Sequence, residues 1–398
     1  MTTTTSERLR TPVSTSELER RWVAVRHAMS GEGVDVLVAY NNTQGIGGYV
    51  KYLSDQYAGS GYPLSVVLPV DDAMTLVRHG DHRLDRSVDP DQDPVLRGVK
   101  RVLTSWSFAS AQYCNQYDAA LVVKALAGYA SSTVGLVGLS QMPHPMVQHL
   151  QESLPKATFV DASDLVDDVK VIKSPEEQEA IRRTARLQEQ VLQAAIEAIR
   201  PGVRESDVLA AAHRRRMELG SSGGVLGIGA APEGEPATLN PPDRQNRKIE
   251  VGDRMILLIE CTGPEGYYTE LGRTVIVGNA EQWMRDEYRR AAEAQRYCAD
   301  MLRPGNSSRD IFASYNNLLI ERDRPTEKRI HCHGQGYDLV ERPLVREDEP
   351  MEIQKDMNLA CHPSYEHNHM TFWVCDNYLT TSDAPECLTS VSRELIEV

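Results

Sequence analysis

Two segments of the 398-residue chain end one helix and begin the next in nearly the same order of residues. Arg200-Pro201-Gly202-Val203-Arg204-Glu205-Ser206-Asp207-Val208 is matched by Arg303-Pro304-Gly305-Asn306-Ser307-Ser308-Arg309-Asp310-Ile311. In each, a long amphipathic stretch runs into Arg-Pro-Gly, and proline with glycine stops a helix. Asp followed by a β-branched residue then opens another helix. A strand-rich stretch comes after each copy: Met255 to Glu260 with Thr274 to Val277, then Met357 to Cys361 with Phe372 to Leu379. Arg-Pro-Gly alone is common helix-ending chemistry, but the matched flanks favour an internal duplication. The second half is therefore expected to fold as two helix–helix–strand units about a pseudo-two-fold axis, with a site between them.

The first half has a different rhythm. A capped helix is expected from Glu17 to Met29 after Thr15-Ser16. Val34 to Tyr40 reads as a strand, and Leu64 to Pro69 with Met74 to Val77 flank Asp71-Asp72 as a hairpin. A helix over Ala119 to Ala130 and strands at Thr133 to Leu139 and Phe159 to Asp161 complete an α/β pattern. Lys173-Ser174-Pro175-Glu176-Glu177 is a helix start, with a capping serine, proline in the first turn and acids at the positive end. Three segments follow: a disordered tail over 1–14, an α/β domain over 15–168 and an α+β domain over 169–398.

Charge narrows the partners. A net charge of −14 disfavours nucleic acid and anionic membranes. No stretch approaches the ~18 apolar residues that cross a bilayer, and the first residues lack a signal-peptide core. Seven cysteines, an odd number, fit reduced thiols better than a disulfide framework. The expectation is a cytoplasmic protein acting on a small molecule.

Three clusters in the second half could carry chemistry. Glu260 ends the apolar run Met255 to Ile259, where an acid is costly unless paired, protonated or metal-bound. Glu270 opens the next strand, so facing strands could bring the two carboxyls together; a pairing of Glu270 with Arg273 is the simpler alternative. His331-Cys332-His333-Gly334-Gln335-Gly336 places glycines beside histidines, and only one of the two alternating histidines should face a site. His362, His367 and His369 precede Cys375-Asp376. Imidazole, carboxylate and thiolate are the usual transition-metal ligands, though no tight spacing fixes a site here. In the first half, Arg78-His79-Gly80-Asp81-His82-Arg83 ends a strand. Arg78, His79 and His82 could grip a carboxylate, or form a solvated turn.

Five motifs occur in a telling order: Gly252-Asp253; Gly266-Tyr267-Tyr268-Thr269-Glu270-Leu271-Gly272-Arg273-Thr274; His333-Gly334-x-Gly336 with Glu341-x-Pro343; Met357 through His362-Pro363; and Cys375-Asp376. This series resembles the creatinase, aminopeptidase P and prolidase (pita-bread) superfamily, over nearly the whole chain. The resemblance implies a creatinase-type α/β N-terminal domain, a pita-bread C-terminal domain and a homodimer. Metal-dependent members use Asp, Asp, His, Glu, Glu as ligands, and those places hold Leu258, Glu270, His333, His362 and Cys375 here. Glu260 lies two residues beyond the first place, an arrangement similar to the pita-bread lyase that cleaves dimethylsulfoniopropionate. The second peptidase histidine is Val340, and the catalytic acid of creatinase is Gly272.

A divergent non-peptidase is therefore expected, hydrolysing a C–N bond in a small polar or zwitterionic substrate. The alternatives are elimination from a charged molecule, an Xaa-Pro metallopeptidase with altered ligands, or a catalytically dead binding module. Glu260, Glu270, His333 and Glu341 are the catalytic candidates, with Glu341 orienting His333 or acting as partner acid. Tyr268, with Arg78, His79 and His82, is expected to bind substrate. A divalent ion (Zn, Mn or Fe) on Glu260, Glu270, His333, His362 and Cys375, or no cofactor at all, are both left open.

Overall fold

The computed structural model describes residues 11–43, 45–239 and 244–398. Of the tail expected over 1–14, residues 1–10 lie outside the described residues, whereas Val13 is buried and Ser14 caps the first helix. Two compact units emerge, Pro12–Lys170 and Val171–Val398 with Thr11.

The N-terminal unit runs α1 (Thr15–Glu32), β1 (Val36–Asn41), α2 (Gly48–Ser54), β2 (Leu64–Pro69), β3 (Met74–His79), β4 (Leu84–Ser87), β5 (Val99–Ser105), α3 (Asn115–Ala125), β6 (Thr133–Val137), α4 (His144–Ser153), β7 (Thr158–Asp161) and α5 (Ser163–Lys170). Its seven strands form a mixed sheet in the order β4-β5-β3-β2-β1-β6-β7. The expected hairpin is β2–β3, antiparallel with Val66 opposite Leu76. The expected Ala119–Ala130 helix starts earlier and ends at Ala125, followed by a short 3-10 turn.

The C-terminal unit begins with α6 (Pro175–Ala198), α7 (Glu205–Glu218), β8 (Gly224–Ala231), β9 (Arg254–Thr262) and β10 (Tyr268–Ile276). Ser174 caps α6: its hydroxyl accepts from the Glu177 N–H, and the Glu177 carboxylate accepts in return from the Ser174 N–H. Then come α8 (Gln282–Asp300), α9 (Ser308–Glu321), β11 (Cys332–Gly334), β12 (Glu341–Leu344), β13 (Asn358–Cys361), β14 (Tyr365–His367), β15 (Met370–Phe372), β16 (Val374–Leu379), β17 (Glu386–Cys387) and β18 (Ile396–Glu397). The long sheet has the order β12-β11-β13-β16-β10-β9-β8, with β17 on β16 and β18 on β10.

The duplication read in the sequence is present in hydrogen bonds. Gly202 N–H donates to the Ile249 carbonyl at 2.8 Å, and Gly305 N–H to the Ile353 carbonyl at 2.9 Å. In return, Ile249 N–H donates to Val203 and Ile353 N–H to Asn306. Both glycines have φ near +90°, 94° and 89°, a conformation that only glycine adopts easily.

Alternation along the strands divides the sheet into two faces. Met255, Leu257, Ile259 and Cys261 pack with Val191, Leu192 and Val208 of α6 and α7. Cys332, Leu359, Cys361 and Val374 pack with Ala291, Cys298 and Tyr315 of α8 and α9. The other face therefore carries Leu258, Glu260, Glu270, Gly272, His333 and Cys375, free of the covering helices.

Candidate active site

The site starts from one register. Glu260 of β9 and Glu270 of β10 are direct cross-strand partners, with side chains on the same face. A hydrogen bond joins their carboxyl groups, and both residues are buried. Two carboxylates that close cannot both be charged, because each destabilises the other's anion. Burial, and then the Glu270 charge, push the Glu260 carboxyl well above its ordinary range, so Glu260 holds the proton.

Glu270 keeps its charge despite burial, because the imidazoles of His362 and His333 and the thiol of Cys375 face it and hold it below the ordinary carboxylate range. Nε2 of His333 lies 3.6 Å, and Nε2 of His362 3.9 Å, from its Oε2. Burial pushes the His362 imidazole below its ordinary value, and the Glu270 carboxylate opposes that.

Buried amides hold this arrangement. Gln335 Nε2 donates to Glu260 Oε1 at 2.7 Å and to the Leu339 carbonyl at 3.0 Å. Asn377 Oδ1 accepts from the Glu270 N–H, and its Nδ2 donates to Asn358 Oδ1 at 2.9 Å. Asn358 Nδ2 donates in turn to the Gln335 carbonyl at 3.1 Å. The sequence reading missed these three residues; an amide between the two glycines of the His333 motif was the available signal for Gln335.

The other expected residues are placed as follows. Cys375 lies beside Glu270, its Sγ 3.8 Å from the Glu270 carbonyl, and burial pushes its thiol well up, so it keeps its proton. Glu341 is gripped by Lys173 Nζ at 3.1 Å and accepts the Asp338 N–H at 3.1 Å, while His333 Nδ1 turns to the Gly334 carbonyl at 2.9 Å. The Glu270–Arg273 pairing does not form: Arg273 projects to the helix-covered face and binds Asp376 at 2.8 Å. His331 is buried between Phe312 and Tyr315, so of the alternating pair only His333 joins the site. His367 meets Arg324 at 2.9 Å, and His369 sits on the β14–β15 turn with φ +63°, so that turn carries both away from Glu270. Tyr268 is buried on the Glu270 face, and burial pushes its phenol up to about 12.

In the N-terminal unit, His79 Nδ1 faces the Ser107 carbonyl at 3.0 Å and its ring packs on Tyr62 and Phe108. His82 stacks on Trp106 at 4.6 Å. Arg78 is half-buried, with Arg86 as a charged neighbour of the same sign.

Glu270, His333 and His362 offer ligand atoms all within 4.8 Å of one another. With Nδ1 of His333 facing the Gly334 carbonyl, its Nε2 is the ring atom directed at the Glu270 carboxylate and available to share a cation with it. His362 Nδ1 is buried without a hydrogen-bond partner among the described residues. Two imidazoles and one carboxylate are the donor set of a three-ligand divalent site that leaves a position open. The residues thus fit one divalent ion. Among the described residues, no group with ligand spacing includes Glu260 or Cys375. Glu260 is engaged by Gln335 and Glu270, and the Cys375 thiol is directed at the Glu270 carbonyl.

Comparison with known proteins agrees with this architecture. The sequence pattern of metallopeptidase family M24 matches residues 179–382. The Xaa-Pro dipeptidase of Pyrococcus furiosus is 24% identical over 67% of this chain and 76% of its own length. An uncharacterised hydrolase/peptidase of Sinorhizobium fredii, y4tM, is 24% identical over 96% of this chain and 98% of its own. The creatinase of a Bacillus species is 24% identical over 90% and 83%. The crystal structure of dipeptidase PepE from Mycobacterium ulcerans superimposes with a TM-score of 0.75 at 20% identity, over 98% of this chain and all of that one.

Proposed function

The chain belongs to metallopeptidase family M24, with the pita-bread fold of the creatinase, aminopeptidase P and prolidase superfamily, and on that premise we propose that it hydrolyses a C–N bond in a small polar or zwitterionic molecule. The observation that carries the reading is the facing pair Glu260 and Glu270 beside His333 and His362. One carboxyl holds a proton and the other is ionised, which is the division of labour that general acid–base catalysis needs.

In the proposed mechanism, Glu270 takes a proton from water as the water oxygen bonds to the carbon of the C–N bond. Glu260 gives its proton to the leaving nitrogen as that bond breaks. The hydrogen bond between the carboxyls then returns the proton from Glu270 to Glu260. Gln335 keeps Glu260 aimed at its partner, and Asn377 fixes the backbone of Glu270. A divalent ion held by Glu270, His333 and His362 would supply Lewis acidity and a water of lowered pKa.

Tyr268 is proposed to contact the substrate from the Glu270 face. Arg78, with His79 and His82, is proposed to bind a substrate carboxylate, which would relieve the repulsion between the Arg78 and Arg86 guanidiniums. A homodimer is part of the proposal and is read by light scattering; a monomer at working concentration would remove it. The function itself is tested by release of amine from alanylproline and from creatine, chosen from the activities named for the relatives. Wild type is expected to cleave at least one, and Glu270→Gln neither.

A further inference from the structure

Trp373 occupies the break between β15 and β16. Its backbone is clamped to β10: the Thr274 hydroxyl accepts the Trp373 N–H at 2.7 Å. Its side chain is 7% exposed. The indole lies flat against His362, with centroids 5.6 Å apart and planes 16° apart, and the Arg329 guanidinium stands 5.3 Å over the ring.

The indole nitrogen has a defined place. A Cβ added to Gly272 would fall 2.2 Å from Trp373 Nε1. Gly272 lies two residues beyond Glu270 on β10, so both positions point to the same face. The absence of a side chain at Gly272 therefore makes room for this N–H on the face that carries Glu270 and beside the His362 ring. Yet among the described residues Nε1 is buried with no hydrogen-bond partner. An indole N–H can only donate, and leaving a buried donor unmet is costly. The neighbouring Nδ1 of His362 is likewise unmet.

We propose that Trp373 is a substrate-binding residue whose indole N–H donates to an acceptor oxygen of the substrate, an amide carbonyl or a carboxylate, with Gly272 as the floor of that subsite. The proposal rests on the hydrolytic reading for the word substrate, but its geometry does not depend on which bond is cleaved. The sequence accounts for the arrangement only in pairs: the indole needs a glycine opposite, and any side chain at 272 would displace the donor.

The test uses the full chain and its indole N–H resonances, four in number because there are four tryptophans. Trp373→Phe, which keeps the aromatic plane on His362, assigns the Trp373 signal. N-methylacetamide supplies a carbonyl without charge, and acetate a carboxylate without an amide. The Trp373 signal is expected to move downfield with one of them, which identifies the oxygen class, while Trp22, Trp106 and Trp283 stay in place. Trp373→Phe should melt near wild type and raise the KM for alanylproline or creatine about tenfold, the loss of one buried hydrogen bond. Gly272→Ala should shift the Trp373 signal before any probe is added. A Trp373 signal unmoved by either probe up to about 10 mM, the weak end of specific affinity, overturns the subsite. So does an unchanged KM in Trp373→Phe. A responsive Trp373 in a protein that hydrolyses neither compound leaves the subsite standing and removes the hydrolytic reading instead.

Discussion

Glu260 and Glu270 face one another across β9 and β10 as direct partners, and one proton lies between two buried carboxyl groups. The sign of the pH dependence follows. A carboxyl raised in the fold keeps its proton below the raised value and loses it as pH climbs through that value. Glu270, held down, is already ionised at neutral pH. The rate of C–N cleavage should therefore fall as pH climbs through the raised Glu260 value, as Glu260 gives up the acid function. Glu260→Gln should lower kcat by about 10²–10⁴-fold and remove the alkaline limb. A limb that persists in the variant assigns the titration to another group.

Metal content follows from the three donors. Protein loaded with divalent ion and then desalted should retain one equivalent per chain by elemental analysis. His333→Ala or His362→Ala should weaken retention by at least about a hundredfold, more than is usual for an outer residue. Cys375→Ser should leave it unchanged, because the thiol lies outside the group of three. Two equivalents per chain, or loss in Cys375→Ser, would show a different ligand set. Chelation should also lower Tm, since binding to the folded state alone stabilises it.

Lys173 and Glu341 form an ion pair at 3.1 Å, each side chain 3% exposed. Removing one partner from a buried pair leaves the other uncompensated. Lys173→Met should destabilise the protein by about 3–5 kcal/mol, and adding Glu341→Leu should recover much of that. Urea unfolding reads both. A Lys173→Met effect below about 1 kcal/mol would mean that water reaches Glu341.

Asp118 gives a pH signature far from the site in sequence. Burial raises its carboxyl to about 6, and Ser107 donates to one of its oxygens. The folded value lies above the unfolded one of 3.8, so this contribution is full below that and is lost as pH rises to about 6. Asp118→Asn should remove that fall, worth on the order of 2–3 kcal/mol at neutral pH. Tm measured between pH 4 and 7 checks it, and parallel curves for the two proteins would refute it.

Much of this architecture is legible in the sequence because its signals are local. Arg-Pro-Gly stops a helix wherever it occurs, and Ser174-Pro175-Glu176-Glu177 carries its own cap. The acids at 260 and 270 could be paired because a short connection leaves two strands little choice of register. The rest depends on which face distant residues share. His333, His362 and Glu270 meet only once β11, β13 and β10 are ordered in one sheet, while His367 and His369 leave on a hairpin. Nothing beside Glu341 in the chain announces Lys173, and nothing beside Trp373 announces Gly272. Such pairings are set by tertiary packing, which residue spacing along the chain does not encode.

The central claim is hydrolysis at Glu270, and isotope transfer from water tests it most directly. Wild type and Glu270→Gln would be incubated with alanylproline and creatine in heavy-oxygen water, and the products weighed by mass spectrometry. The account predicts one heavy oxygen atom in the product on the carbon side of the broken C–N bond, with wild type only. Cleavage without incorporation would indicate elimination, and undiminished incorporation with Glu270→Gln would remove Glu270 from the chemistry; either result contradicts the account.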